Sequence, residues 1–336
     1  MLFGMKSQSG EYGKTSSMGK KSGLSKKRIF VTGGTGFIGG HLVEELLSYG
    51  TTIVVPYLEI DRRSTFFVNK LSKKAIVTRA DITDKTKMFS ILKKHKIDYI
   101  IHLAAQTLVT EAYKKPYETL YTNVMGTVNL LEATRLLSHI KGIIVASSDK
   151  AYGKTKKRYT EESPLKGEHP YDVSKSSADL IAQTYSKTYK TPVVITRFGN
   201  VYGEGDLHLD RIIPGICESI TMKKTLLIRS DGTFVRDYVY VKDVVNGYVF
   251  LLNNIEKVIG QAYNFSSKDC LSVLTLVKKA EMILNCTIPY KILNNAKNEI
   301  PYQHLDDKKV RKLGWKNKYS LKKTLKNTLQ WYNNLI

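Results

Sequence analysis

The chain has 336 residues, enough to bury a sizeable core in one large or two modest domains, and its composition is that of a globular protein. Cys217, Cys270 and Cys286 are odd in number and widely spaced, with no Cys-x-x-Cys, which argues against a disulfide framework or a structural zinc and fits a reducing compartment. The formal charge of +23 is dispersed and reads mainly as a solvated surface, although positive potential also attracts anions such as nucleotide diphosphates or nucleic acid.

Residues 1–25 are rich in Gly, Ser and Lys with no apolar period, which predicts a disordered basic tail. The Met-Leu-Phe start is too short for a signal-peptide core, and no run of about 18 apolar residues occurs, so the expectation is a cytoplasmic protein that does not enter a membrane. Arg28 to Thr32 is a β-branched strand that ends in Gly33-Gly34-Thr35-Gly36-Phe37-Ile38-Gly39, and helical spacing follows from His41 to Tyr49. Strand, glycine turn and helix in this order are what a dinucleotide-binding unit requires. Gly33 permits the tight turn, Gly36 lets backbone N–H groups reach a pyrophosphate, and Gly39 lets the helix pack on the strand. A second strand, Thr52 to Pro56, should lead to the residues that meet an adenosine ribose. Glu59 lies at the expected distance of about 20 positions after the last glycine, and Asp61 nearly does. An acid there favours NAD, while Arg62 and Arg63 leave NADP open.

Short strands are predicted at 75–78, 99–102, 142–146 and 193–197, with helices at about 84–95, 117–138 and 171–189. This alternation implies an α/β fold, a Rossmann-type doubly wound parallel sheet. The alternation stops after Arg197. The expected division is therefore a cofactor-binding domain over 26–198, carrying the catalytic residues, and a smaller, mainly substrate-binding lobe over 199–336.

The stretch 147–175 is the candidate catalytic strip. Ser147-Ser148-Asp149-Lys150 follows the apolar strand 142–146, which puts these side chains at a strand's carboxyl end, where active sites of open α/β sheets sit. Tyr171 and Lys175 are four apart at the start of a helical run and share one face. An ammonium beside a phenol favours the phenolate and brings it towards a usable base. The spacing alone proves little, because it recurs at Tyr152/Lys156, Tyr238/Lys242 and Tyr319/Lys323. The pair at 171/175 stands out by its conjunction with the preceding strand and the upstream glycines. His102 reads as a packed core histidine, and no His, Cys or acidic cluster has metal spacing, so no metal is expected.

Several motifs together resemble the extended short-chain dehydrogenase/reductase superfamily, in its NAD-dependent nucleotide-sugar epimerase and dehydratase branch. They are Thr32 to Gly39, His102-Leu103-Ala104-Ala105-Gln106, Tyr171 to Lys175, Arg197 to Gly203, Val235 to Val239 and Leu313-Gly314-Trp315. The resemblance implies that Gly33, Gly36, Phe37, Ile38, Gly39, Glu59, Asp81, Ile82, Leu103, Ala104, Ala105, Tyr171 and Lys175 bind NAD. It implies that Tyr171 takes the proton of a sugar 4-hydroxyl, that Lys175 holds the nicotinamide ribose and lowers the tyrosine pKa, and that Ser148 holds the 4-oxygen. Gln106, Ser148, Asn200, Arg211 and Arg236 are the implied substrate contacts. A turn residue is the plainer reading of Asn200, and a surface ion pair with Asp237 that of Arg236.

Asp149 and Lys150 select the member of the branch. A 4-epimerase needs no charged pair after the serine, whereas a 4,6-dehydratase must remove a C5 proton and expel water from C6. Asp-Lys at this place is similar to CDP-glucose 4,6-dehydratases, although Val235 to Val239 looks more like other members. By position Lys150 would be the base and Asp149 the acid, and the resting charges favour the reverse, so both are taken as catalytic with the direction open. The expectation is an NAD-dependent nucleotide-sugar 4,6-dehydratase (a lyase), working as a homodimer on a nucleotide-diphosphate sugar. The alternatives are a 4-epimerase of the same branch and, more distantly, a basic RNA-binding protein on a Rossmann fold, which the intact glycines, Tyr171 and Lys175 speak against.

Overall fold

A computed structural model describes residues 23–296 and 299–335. Seven strands form one parallel sheet. They are β1 (Arg28–Thr32), β2 (Thr52–Tyr57), β3 (Ile76–Arg79), β4 (Tyr99–His102), β5 (Gly142–Ala146), β6 (Val193–Phe198) and, numbered β10 by chain order, Ala262–Phe265. Their spatial order is β10-β6-β5-β4-β1-β2-β3, so the sheet reverses direction of growth between β1 and β4. Strict alternation along the central strands supplies two cores. Ile29, Val31, Ile53, Val55, Ile101 and Ile144 face one side, covered by the helices Phe37–Ser48 and Val241–Asn253. Phe30, Val54, Ile100, Ile143 and Val145 face the other, covered by the helices Lys85–Lys94, Gly126–Leu136 and Pro170–Tyr189. Burial on both faces is why these strands read as unbroken apolar runs. The expected Rossmann-type sheet is thus the observed one, and its predicted strands agree to within a residue or so at each end.

The remaining strands build two small sheets: β7 (Asn200–Tyr202), β9 (Val235–Tyr240) and β11 (Cys270–Ser272) in one, β8 (Leu226–Ile228) and β12 (Tyr290–Ile292) in the other. A separate core of Tyr202, Ile213, Ile216, Leu276, Leu321 and Leu325 holds them to the helices Ile212–Thr221, Val273–Leu284 and Leu321–Leu335.

Four expectations need correction. The boundary at 198/199 cuts through the main sheet, because β10 pairs with β6 and the helix Val241–Asn253 packs under it. The first helix starts at Phe37, directly after Gly36, four residues before its apolar period begins. The helix foreseen over 117–138 is Pro116–Leu120 and Gly126–Leu136 joined by a π-helical turn, Tyr121–Met125, of the kind that often marks a functional site. Of the basic tail, residues 1–22 lie outside the described residues. Residues 23–25 form a turn in which Leu24 is buried in the core, so there the expected disorder is not found.

Candidate active site

The glycine turn lies at the carboxyl end of β1, at the point where the strand order reverses, which is where doubly wound sheets bind ligands. Gly33 adopts φ +67°, and a Cβ on it would stand 2.9 Å from the backbone N of Ala104. A Cβ on Gly39 would stand 2.0 Å from the Gly33 carbonyl oxygen. Only hydrogen fits at either position, so the turn, the helix start and the Leu103-Ala104-Ala105 segment meet backbone to backbone. Thr32 fixes that meeting: its carbonyl accepts from Leu103 N (3.2 Å) and its hydroxyl from Ala104 N (3.1 Å). His102 sits beneath as a packed core residue, hydrogen-bonded to Thr32 and Thr127 and pushed down to about 3 by burial, so it is neutral. The helix Phe37–Ser48 has neither a side-chain cap nor an acid in its first turn, leaving its first N–H groups, at Phe37 and Ile38, open to an anion, while the Gly36 N–H donates to the Gly33 carbonyl at 3.0 Å.

Glu59 is exposed just beyond β2, while Arg63 is occupied by Asp61 in a two-pronged contact (2.9 and 3.0 Å). Asp81 follows β3 and accepts from Thr83 N at 2.8 Å, and the buried Ile82 carbonyl accepts from Asn129 at 3.0 Å. These residues line the same edge of the sheet as the glycine turn.

The catalytic strip leaves β5 as a single short helical turn, Asp149–Tyr152, capped by the Ser148 hydroxyl, which accepts from Lys150 N at 3.2 Å. Ser148 Oγ donates to Asp149 Oδ1 (3.0 Å), and Lys150 Nζ lies 3.8 Å from that oxygen and 3.3 Å from Asn200 Oδ1. Asp149 is 1% exposed. Tyr171 stands in the first turn of the helix Pro170–Tyr189 with a hydrogen bond to Ser148. Lys175, one turn on, donates to the Ala146 carbonyl at the end of β5 (2.8 Å). The structure therefore gathers Ser148, Asp149, Lys150, Asn200, Tyr171 and Lys175 at the carboxyl end of β5.

The electrostatics of the cluster are dominated by burial. Burial pushes the Tyr171 phenol above its ordinary value, and the charges of Asp149 and Asp172 push the same way, against Arg211 and the Ser148 hydrogen bond. The Lys175 ammonium donates to the Ala146 carbonyl. Lys175 is itself brought down to about 8 by burial, with Asp179 opposing. Asp172, the neighbour of Tyr171, is raised to about 6, chiefly by burial.

Arg211 is held by the fully buried Asp206 (3.0 and 3.1 Å) and is close enough to Tyr171 to act on its charge. Arg236 pairs with Glu299 (3.3 Å) and lies over the Phe234 ring, so its expected surface pair with Asp237 is absent. Asp237 is buried and accepts from Leu305 N at 2.8 Å. Asn200 opens β7 and is not a turn residue. Gln106 is tied by backbone and side chain to Asn123 and Leu108, with its Oε1 buried and unpartnered. The other Tyr-x-x-x-Lys tyrosines do different work. Tyr152, for one, donates to Asn264 (2.7 Å) and accepts from Arg197 (2.7 Å), whose guanidinium makes a fully buried pair with Asp179.

Sequence reasoning missed three residues. Asn123, in the π-helical turn, donates to both the Gln106 carbonyl and Ser174 Oγ, joining the β4 loop to the helix of Tyr171. Asp172 was read only as part of the Tyr-Lys motif. Gln303 reaches Asp149 from 154 positions away. Spacing also concealed a group formed by Asp237, Cys270 and His304, whose ligand atoms lie within 4.8 Å of one another. Burial and then the nearby Arg158 guanidinium lower His304, and that cation works against a metal ion at the same place.

Fold and site together define a dinucleotide-binding α/β enzyme with a glycine turn at the switch point and a Tyr/Lys pair at the carboxyl end of β5. The family model described as NAD dependent epimerase/dehydratase family matches residues 29–265, and the chain belongs to that family. It is 30% identical over 335 residues to the dTDP-D-glucose 4,6-dehydratase of Bos taurus, covering 95% of this chain and 92% of the relative. It is also 30% identical to the CDP-glucose 4,6-dehydratase of Salmonella typhimurium, covering 91% and 90%. Among solved structures, UDP-glucuronic acid 4-epimerase from Bacillus cereus, in complex with UDP-glucuronic acid and NAD, superposes with a TM-score of 0.84. It is 27% identical, and the match covers 92% of this chain and all of that one.

Proposed function

We propose that the protein is a nucleotide-sugar 4,6-dehydratase that binds NAD and converts an NDP-hexose into an NDP-4-keto-6-deoxyhexose. The observation that carries this reading is the Asp149/Lys150 pair, in contact with Ser148 beside Tyr171. Moving hydride at C4 needs only the tyrosine and lysine. Losing water across C5–C6 needs a further acid and base, and this pair supplies both within one turn of chain.

Gly33, Gly36, Phe37, Ile38 and Gly39 fit a dinucleotide pyrophosphate, Glu59 an adenosine ribose, and Asp81 and Ile82 an adenine. Leu103, Ala104 and Ala105 offer backbone along its length. The backbone-to-backbone packing of Gly33 on Ala104 and of Gly39 on Gly33 supports this, because it holds the glycine turn, the helix start and the Leu103-Ala104-Ala105 segment together at one place. NAD, when bound, accepts hydride from the sugar and returns it within the turnover. Tyr171 takes the proton of the 4-hydroxyl, Ser148 holds the 4-oxygen, and Lys175 is placed for the nicotinamide ribose. Arg211 and Arg236 fit a substrate pyrophosphate, for which fixed guanidinium groups are suited. Gln106 and Asn200 are placed to bind the sugar.

The working unit is a homodimer in this reading. Tyr117 is 74% exposed and stacked on the exposed Tyr121, while Leu180 and Tyr189 are half exposed on the helix Pro170–Tyr189. Two such helices per subunit suit a four-helix interface. No helix among the described residues is long and apolar enough to cross a membrane. Three free cysteines fit the cytoplasm.

The second reading, a 4-epimerase, is favoured by the likeness to the UDP-glucuronic acid 4-epimerase. The Asp149→Asn/Lys150→Ala double variant separates the two when assayed with CDP-, UDP- and dTDP-glucose, UDP-N-acetylglucosamine and GDP-mannose. The dehydratase reading expects turnover to collapse, and full activity in that variant would remove it.

A further inference from the structure

Residues 308–326 hold eight lysines, one arginine and no acid. The folded chain keeps most of that charge outside. Arg311 is engaged inward, by Asp307 at 2.7 Å and beside the Trp315 ring, whereas Lys312, Lys316, Lys318, Lys322, Lys323 and Lys326 are all exposed. The backbone that carries them is fastened from beneath. Asn317 donates to the Ser266 carbonyl at 2.9 Å, the N–H groups of Lys318 and Tyr319 donate to Asp243 at 2.8 and 3.2 Å, and that of Leu321 donates to Asp269 at 2.7 Å. Asp243, Asp269 and Asp307 are themselves buried, so the carboxylates that hold this segment add little negative charge to its outer face.

The fold does not compensate these lysines. Among the described residues, the ion pairs of this stretch are those of Lys308 with Asp306 and of Arg311 with Asp307. Lys322 and Lys326 are four apart on the helix Leu321–Leu335, a like-charge spacing that destabilises it, and Lys322 and Lys323 lie in its first turn, where the helix dipole repels cations. A bound polyanion relieves both costs. A lipid surface is gripped through the apolar face of a helix, but here Leu321, Leu325 and Tyr332 are turned into the core, and between the lysines the exposed large apolar groups are Leu313 and Tyr319. Lysines act as point charges, and with Arg311 already paired the face has no guanidinium fork to read base edges. Tyr319, 38% exposed and set against the Tyr240 ring at 5.0 Å, offers an aromatic surface to an unpaired base.

We propose that the face formed by residues 312–326 binds single-stranded nucleic acid through its phosphodiester chain, without preference for sequence. The face shares no residue with the cofactor and sugar contacts, so this binding is a second function beside catalysis and stands whether or not the dehydratase reading holds. Each ammonium that meets a phosphate displaces a condensed cation from the strand, which makes the affinity fall steeply with salt. Five such contacts on a single strand give a log–log salt slope of about −3.5, or about 100-fold weaker binding when salt rises from about 50 to 200 mM.

The test is fluorescence anisotropy of a labelled oligouridylate titrated with the full chain at several salt concentrations. Lys322→Gln/Lys323→Gln/Lys326→Gln should weaken binding about tenfold or more and make the salt slope shallower by about 2. Lys93→Gln/Lys94→Gln/Lys96→Gln removes the same charge from another exposed place and should leave affinity and slope nearly unchanged. Lys312→Gln/Lys316→Gln should act in the same direction as the first variant, and it decides the matter alone if circular dichroism shows the first to be unfolded. Equal weakening by the two triple variants overturns the proposal, because net charge and not this face would then hold the strand. So does unchanged binding in both variants of the face. Retention of the chain on phosphatidylserine vesicles with no binding of the oligonucleotide would overturn it too, in favour of a lipid surface.

Discussion

The glycine cradle and the catalytic cluster lie on one edge of one sheet and are built in opposite ways. The cradle is backbone: Gly33, Gly39 and Ala104 approach so closely that no side chain fits between them. The cluster is side chain, with Ser148, Asp149 and Lys150 from one loop, Tyr171 and Lys175 from a helix, Asn200 from a strand and Gln303 from the far end of the chain. Backbone sites are written in local spacing because a missing Cβ is a local property. Side-chain sites need tertiary contacts that no window of sequence contains.

Variants can break that contrast. The largest effect is expected in Tyr171→Phe, which removes the proton acceptor while leaving ring packing in place. kcat should fall about 10²–10⁴-fold with the melting temperature nearly unchanged, the range typical of a lost general acid or base. Asp179→Asn should act on stability instead, because it strands the buried Arg197 guanidinium behind the catalytic strip. Breaking a buried pair from one side costs about 3–5 kcal/mol, measurable by urea unfolding. Gly39→Ala forces a methyl group into the Gly33 carbonyl. A loss of about 1–3 kcal/mol is expected, together with weaker dinucleotide binding by calorimetry, as for other overpacked sites.

A smaller effect concerns pH. Asp237 is raised to about 7 by burial and Asp172 to about 6, so between about pH 4 and 7 these two groups hold more protons in the folded chain than in the unfolded one. Their contribution to stability is therefore greatest in acid and is lost as the pH rises through that window. Asp237→Asn, which keeps an acceptor for Leu305 N, should flatten the fall across pH 4–8 in urea denaturation series, leaving the slope due to Asp172.

Most of the sheet was legible because buried parallel strands are short apolar runs with turn residues between them. The seventh strand was not, since Ala262–Phe265 lies beyond the break in alternation and pairs with β6 only in the folded chain. The motif residues of the site were likewise legible: the glycines, Ser148 to Lys150, Tyr171 and Lys175. Their electrostatics were not. Spacing put an ammonium one turn from the Tyr171 phenol, and folding adds burial, the charges of Asp149 and Asp172 and the opposing charge of Arg211, none of which spacing shows. Asn123 and Gln303 were invisible for a simpler reason, as an amide in a loop or a helix carries no spacing signature.

The central claim, that Asp149 and Lys150 turn a C4 oxidation into loss of water, is tested most directly by the product formed from an NDP-hexose deuterated at C4. The account predicts a product lighter by one water, with the deuterium still in the sugar but at C6. A product of unchanged mass, carrying its deuterium at C4 in the opposite configuration, would contradict it and make the protein an epimerase.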